Sequence, residues 1–284
     1  MMSLLSNDDA HSILHYLGCT AEQPSVAAVN RLVAAYVRRV PWETAFRIVR
    51  RAQFSAPQEC PRWPHIFWDD AIHRGGGGTC FESNYAFFAL LRALGYEGYL
   101  TINNMDDDGS PNTTPSIGCH SAIVLLLNGD KWLVDVGLPV YCALPIIEGQ
   151  TTTAYSDFHR YTVSPDGDSR YHILRDGYPK PNCFTLIDKP VSDDVYRQRV
   201  IRDYGPDGLF LSHIIINLVI GNVPYRFSSA DVPYHLEYFL DGVRHDTPLP
   251  DDIAQLSQQL AQHFSMDVDT LQKALAIAAI APKN

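Results

Sequence analysis

The segment HSAIVLLLNGDKWLVDVG, residues 120 to 137, restricts the fold more than any other stretch, because two apolar runs flank the dipeptide Asn128-Gly129. That pair is the strongest two-residue hairpin signal, since both positions of a type I′ turn need φ > 0. The register then follows. With Asn128 and Gly129 at the turn, Leu127 faces Asp130, and counting outward sets Ala122 opposite Asp135. His120 and Asp135 become diagonal neighbours on one face, while Ile123, Leu125, Trp132 and Val134 line the other and are expected to face the core. An Asp beside a His at a strand end can fix the imidazole tautomer, and such a His can partner a nucleophile and later move a proton.

A nucleophile is offered by RGGGGTCFESNYAFF, residues 74 to 88. Thr79-Cys80-Phe81-Glu82 matches the Ser/Thr-x-x-Glu capping box, with Thr79 as N-cap and Cys80 as the first helical residue. Phe81, Tyr85, Phe88 and Leu91 then recur at three and four residues until Gly95, which predicts a buried helix of about four turns. A cysteine there sits in the positive field of a helix N-terminus, which favours the thiolate. The glycines are read as letting backbone and substrate approach the sulfur. Neither nucleotide-binding fingerprint fits, because the run holds no Lys and no G-x-G-x-x-G. Cys80, His120 and Asp135 therefore form a candidate triad.

Around these two segments the hydrophobic period changes along the chain. Val26, Val29, Val33 and Val37 mark a helix that Pro41 ends, and the Pro- and Trp-rich stretch up to His73 reads as irregular. From Tyr96 the runs at 100–103, 121–127, 131–136 and 159–163 have the pattern of short antiparallel strands between turn residues. Past residue 190, the apolar run near Leu209 to Val219 precedes helical patterns at Ile253, Leu256, Leu260, Phe264 and at Leu271, Leu275. The divisions are 1–95, mainly helical; 96–190, β-rich; and 191–284, mixed.

A formal charge of −10 speaks against nucleic acid or an anionic membrane as the main partner. Arg47, Arg50 and Arg51 could contact an anion but read first as a solvated helix face. The six cysteines, Cys19, Cys60, Cys80, Cys119, Cys142 and Cys183, contain no C-x-x-C pair, so a reduced, cytoplasmic protein is expected. No secretory leader or membrane-length apolar run is read. His11 and His15 could share a metal on a helix but lack a third ligand, and Cys119 beside His120 reads as a structural thiol, so no metal is expected.

These residues resemble the arylamine N-acetyltransferase family. GGTCFESN at 77–84 is similar to that family's Arg-Gly-Gly-x-Cys-Phe-Glu-x-Asn, and LVDVG at 133–137 to its Val-Asp-Val-Gly. VPWET at 40–44 is similar to its Val-Pro-Phe-Glu-Asn, while YLGC at 16–19 and the segment 253–266 resemble its first and last helices. The resemblance implies an α+β fold of helical bundle, antiparallel β-barrel and α/β lid around a cysteine-protease-like Cys-His-Asp core. It also implies acyl transfer from acetyl-CoA to an arylamine, hydrazine or related amine through a Cys80-acyl intermediate. Gly77, Gly78, Thr79 and Ser116 are assigned to the acyl donor, and Glu43 is expected to pair with Arg74 as a buried ion pair. The departures are two extra glycines after Arg74, Trp42 and Thr44 in place of Phe and Asn, and VDVGLP in place of VDVGFG; they bear on the amine pocket and the donor cleft. Two alternatives stand beside this reading: a cysteine-dependent amide synthase or hydrolase of the same fold, and a non-catalytic small-ligand-binding homologue. The partners expected are a small amine and an acyl-CoA, with homo-oligomerisation left open.

Overall fold

The computed structural model describes residues 5–105, 116–138, 140–177, 182–206 and 208–280. In chain order the helices and strands begin with α1 (Asn7–Leu17), α2 (Val26–Arg39), β1 (Trp42–Glu43), α3 (Ala45–Gln53), α4 (Pro64–Arg74) and α5 (Cys80–Ala93). Eight strands follow: β2 (Glu97–Met105), β3 (Ser116–Leu127), β4 (Asp130–Val134), β5 (Leu144–Ile146), β6 (Thr152–Tyr155), β7 (Arg160–Pro165), β8 (Arg170–Arg175) and β9 (Asn182–Ile187). The chain closes with α6 (Asp193–Arg202), β10 (Ile215–Ile220), β11 (Val223–Ser228), β12 (His235–Leu240), β13 (Val243–Pro248), α7 (Ile253–Phe264) and α8 (Val268–Ile280). Chain contacts gather into two compact units, Met1–Tyr36 with Ser83–Tyr196, and Val37–Glu82 with Arg197–Asn284.

The first unit is built on an antiparallel sheet in the order β5-β4-β3-β2-β9-β8-β7-β6. It curls until its ends nearly meet, where the Thr152 hydroxyl of β6 donates to the Pro145 carbonyl of β5 at 2.6 Å. The interior is filled by Val124, Leu133, Tyr161, Ile173, Phe184 and their neighbours. The hairpin turns where its sequence predicts, with Asn128 at φ 55° and Gly129 at φ 89°, and Leu127 faces Asp130. One expectation needs correcting: Ala122 and Val124 are as fully buried as Ile123 and Leu125, so β3 is covered on both faces rather than one.

The second unit carries the antiparallel sheet β1-β10-β11-β12-β13, with α3, α7 and α8 sharing its core of Phe46, Ile48, Ile216, Phe227, Leu256 and Leu271. Thr44 joins β1 to β10: its hydroxyl donates to the His213 carbonyl at 2.7 Å and accepts from the Ile215 N–H at 2.9 Å. The stretch read as irregular holds α3 and α4. Pro64 is the reason it misleads, because Pro at the first helical position starts a helix, its missing N–H being one that would have no partner anyway. The Arg47 side chain is fully buried, so the expectation of a solvated face is overturned for Arg47, while Arg50 and Arg51 are half-buried.

Candidate active site

His120 and Asp135 are the pair that the hairpin register predicts. The Nε2 of His120 lies 2.6 Å from Oδ2 of Asp135, and both residues are buried. The other carboxylate oxygen, Oδ1, accepts from Nδ2 of Asn84 at 2.9 Å, from the Gly137 N–H at 2.8 Å and from the Leu138 N–H at 3.0 Å. Three donors converge on that one oxygen and leave Oδ2 for the ring. A carboxylate oxygen can only accept, so Nε2 carries the hydrogen of this contact. The ring of Phe184 backs it at a centroid distance of 4.5 Å.

Asn84 is itself held on every side. Its Nδ2 also donates to the Ser121 carbonyl at 2.8 Å, and its Oδ1 accepts from the Val136 N–H at 3.0 Å. It stands in α5 four residues after Cys80, and residues four apart share one face of a helix.

Cys80 opens α5, as predicted, and is 6% exposed, so the sulfur is nearly covered. The capping box is not formed. Thr79 is fully buried with no partner for its hydroxyl among the described residues. Glu82 turns instead to Arg62, accepting from the Arg62 N–H at 2.8 Å and from Nη2 at 2.9 Å, and accepts from the Tyr204 hydroxyl at 2.7 Å. The buried guanidinium, with the Arg62 amide and the Tyr204 hydroxyl beside it, outcompetes the single Thr79 N–H that a capping box would offer this carboxylate.

The glycines answer to packing. Gly75 ends α4 at φ 64° in the left-handed region. A Cβ on Gly76 would meet the Phe46 ring at 2.9 Å, and one on Gly77 would meet the Pro41 carbonyl oxygen at 1.7 Å. Gly77 donates its N–H to Glu43 at 3.2 Å while its carbonyl accepts from Arg62 Nη2 at 2.6 Å. Gly78 donates to the Pro41 carbonyl at 3.3 Å and accepts from the Glu43 N–H at 3.4 Å. The backbone N–H and C=O groups of Gly77 and Gly78 are thus hydrogen-bonded within the protein. Ser116 opens β3 four residues before His120; its side chain lies outside the described residues.

The expected pairing of Glu43 with Arg74 is overturned. Arg74 is drawn away to Asp70 at 2.8 Å, Asp267 at 3.0 Å and Thr270 at 2.5 Å. The guanidinium of Arg62 takes its place, 3.7 Å from Glu43 and from Asp70. Burial disfavours the charge on Arg62, but Glu82 and Glu43 outweigh it and keep the group protonated. Burial alone would lift the Glu82 carboxyl; Arg62 and Arg47 together hold it below the ordinary range. Arg47 in turn lies 2.9 Å from Asp203 and stacks over the Tyr204 ring at 4.1 Å. In the same unit Trp42 meets Phe210 edge-on at 5.2 Å. Among the described residues, no group of three or more His, Cys, Asp or Glu side chains is placed to hold a metal, and no helix is long and apolar enough to cross a membrane.

A family model described as N-acetyltransferase matches residues 25–271. The chain belongs to the arylamine N-acetyltransferase family. It is 22% identical over 217 residues, 72% of each chain, to the arylamine N-acetyltransferase of Escherichia coli (strain K12). Its fold matches the arylamine N-acetyltransferase from Salmonella typhimurium with a TM-score of 0.79 at 16% identity, over 96% of this chain and 99% of that one. It matches the Mycobacterium marinum arylamine N-acetyltransferase, solved in complex with CoA, with a TM-score of 0.77 at 16% identity, over 94% and 98%. The chain is thus an acyltransferase by membership of the arylamine N-acetyltransferase family, and its α+β architecture is the one these structures share. Against the family's Arg-Gly-Gly-x-Cys motif it carries Gly76 four residues before Cys80, and Arg62, from the irregular segment between Pro61 and Pro64, supplies the buried guanidinium.

Proposed function

We propose that the protein transfers an acetyl or other acyl group from CoA to a small amine by a ping-pong route, with Cys80 as nucleophile, His120 as acid and base, and Asp135 as the group that orients His120. The observation that carries this reading is the His120–Asp135 pair, 2.6 Å apart and buried, with Oδ1 of Asp135 saturated by three donors. It is supported by α5, which begins with Cys80 and one turn later presents Asn84, the residue that holds Asp135.

In this scheme the Cys80 thiolate adds to the thioester carbonyl, and backbone N–H groups at the start of α5 stabilise the oxyanion. The carbon–sulfur bond to CoA breaks, and the departing thiolate takes the proton held on His120. The amine then adds to the acyl-enzyme, His120 accepts its proton, and the Cys80 thiolate leaves as the amide forms. Charge and protons return to their starting places. Trp42 and Phe210 offer an aromatic surface suited to an arylamine or hydrazine. Contacts of Gly77, Gly78, Thr79 and Ser116 with the donor, the division at 1–95, 96–190 and 191–284, and a cytoplasmic setting belong to the same proposal.

Intact-mass measurement after incubation with acetyl-CoA alone tests it. One acetyl group should be added, on Cys80, and Cys80→Ser should abolish the addition while the fold persists. An aromatic amine or hydrazine should then discharge the acetyl-enzyme. Discharge by water alone would favour a hydrolase, and no labelling by any acyl thioester would favour a non-catalytic ligand-binding protein.

A further inference from the structure

The hydrogen bonds around His120 and Asp135 do not end at Asn84. Tyr196, in the first turns of α6, is fully buried, and its hydroxyl donates to Oγ of Ser121 at 3.0 Å. Ser121 is the residue next to His120 in β3. Its Oγ lies 3.4 Å from Nδ2 of Asn84 and its carbonyl 2.8 Å from the same nitrogen. That nitrogen also donates to Asp135. The Tyr196 ring is fixed independently, stacked on Tyr85 at a centroid distance of 5.2 Å and 19° between planes, and Tyr85 donates to Oδ1 of Asp193, the first residue of α6, at 2.5 Å. A tyrosine that only filled space would need no hydroxyl, yet this one ends on the polar group that shares Asn84 with the carboxylate.

We infer that Tyr196 is a positioning residue for the His120–Asp135 pair, acting through Ser121 and Asn84. An Asn amide can turn over and exchange its oxygen and nitrogen. Here the Val136 N–H fixes the oxygen end and the Ser121 oxygens fix the nitrogen end, so Nδ2 must face Asp135. With Oδ1 of Asp135 thus satisfied, Oδ2 is directed to the imidazole. Tyr196 secures the Ser121 hydroxyl that takes part in this choice. The consequence is that a residue some 60 positions from the hairpin, on a separate helix, sets how firmly the base is oriented.

The inference rests on His120 being the base, so the test has one arm that does not require acyl transfer. Tyr196→Phe keeps the ring and its stack on Tyr85 and removes the hydroxyl alone. In the unmodified protein, proton NMR should show a downfield resonance for Nε2–H of His120, and this should shift or broaden in Tyr196→Phe and in Ser121→Ala. Single-turnover acetylation of Cys80 should slow by about three- to tenfold in each variant, the factor that one net neutral hydrogen bond carries. The acid limb of the pH–rate profile should move, and the double variant should lose less than the product of the two single losses. If the unmodified protein acetylates Cys80 and Tyr196→Phe leaves the resonance, rate and pH profile unchanged while lowering Tm, Tyr196 is only structural and the inference is overturned. If the resonance moves in the variants but Cys80 is never acylated, the positioning stands and the proposed reaction falls.

Discussion

Replacing Arg62 by Met tests which arginine holds the loop in front of Cys80. The guanidinium is fully buried and sits 2.9 Å from Glu82, 2.6 Å from the Gly77 carbonyl and 3.7 Å from both Glu43 and Asp70. The Met side chain keeps most of the volume against Phe46 and Phe67, whose rings Arg62 faces at 5.4 and 5.5 Å, so the change is mainly electrostatic. Glu82 and Glu43 would be left buried without their cation, and removing one partner of a buried ion pair costs about 3–5 kcal/mol. Arg74→Ala removes ion pairs with Asp70 and Asp267 from a side chain that is 45% exposed. Such pairs are worth about 0–1 kcal/mol each and the hydrogen bond to Thr270 about 1 kcal/mol, so this variant should lose no more than about 3 kcal/mol. Urea unfolding at pH 7, with the slope compared between proteins, separates the two. Acetyl-CoA labelling of Cys80 should fall in Arg62→Met and persist in Arg74→Ala. An Arg74→Ala loss equal to or larger than that of Arg62→Met would refute the reasoning.

Gly77→Ala should cost at least about 2 kcal/mol by overpacking, because its Cβ would be 1.7 Å from the Pro41 carbonyl oxygen, itself fixed by Gly78; denaturant unfolding reads this, and a neutral outcome would show that the loop is free to shift. Asp135→Asn should leave Tm within a few degrees but reduce Cys80 acetylation by roughly 10²- to 10⁴-fold, since an amide at the Oδ2 position favours the wrong imidazole tautomer; stopped-flow acetylation checks it. Burial holds the His263 imidazole below its ordinary pKa, so the folded state binds this proton less readily than the unfolded chain. Stability should therefore decline as the pH falls through about 6.5 and level off below the folded value. The decline should be smaller in His263→Phe, which keeps the edge-on contact with Tyr225, and an unchanged pH dependence would exclude His263 as its source.

The hairpin and the His120–Asp135 pair were legible because turn chemistry and a two-residue period fix register over a short span of chain. The α5 helix was legible for the same local reason. The network beneath Cys80 was not. Thr79 and Glu82 have the spacing of a capping box, but Glu82 has a stronger partner in Arg62, and nothing in the order of residues announces that competition. Arg74 looked like the partner of Glu43 because it adjoins the glycines; Asp70 and Asp267 claim it once α4 and α8 are in place. Arg47 shows the same limit, reading as a surface cation on its helix and burying fully against Tyr204 and Asp203.

By itself the sequence determined the helix that starts at Cys80, the turn at Asn128-Gly129 and the face that His120 shares with Asp135, all of which depend on backbone geometry over fewer than about twenty residues. The tertiary structure alone decided which buried charge meets which. It placed Arg62 rather than Arg74 against Glu43, sent Glu82 to Arg62 and Tyr204, and brought Tyr196 to Ser121. Partner choice among buried charges depends on desolvation and on distances between segments far apart in the chain, and neither quantity exists until the chain has folded.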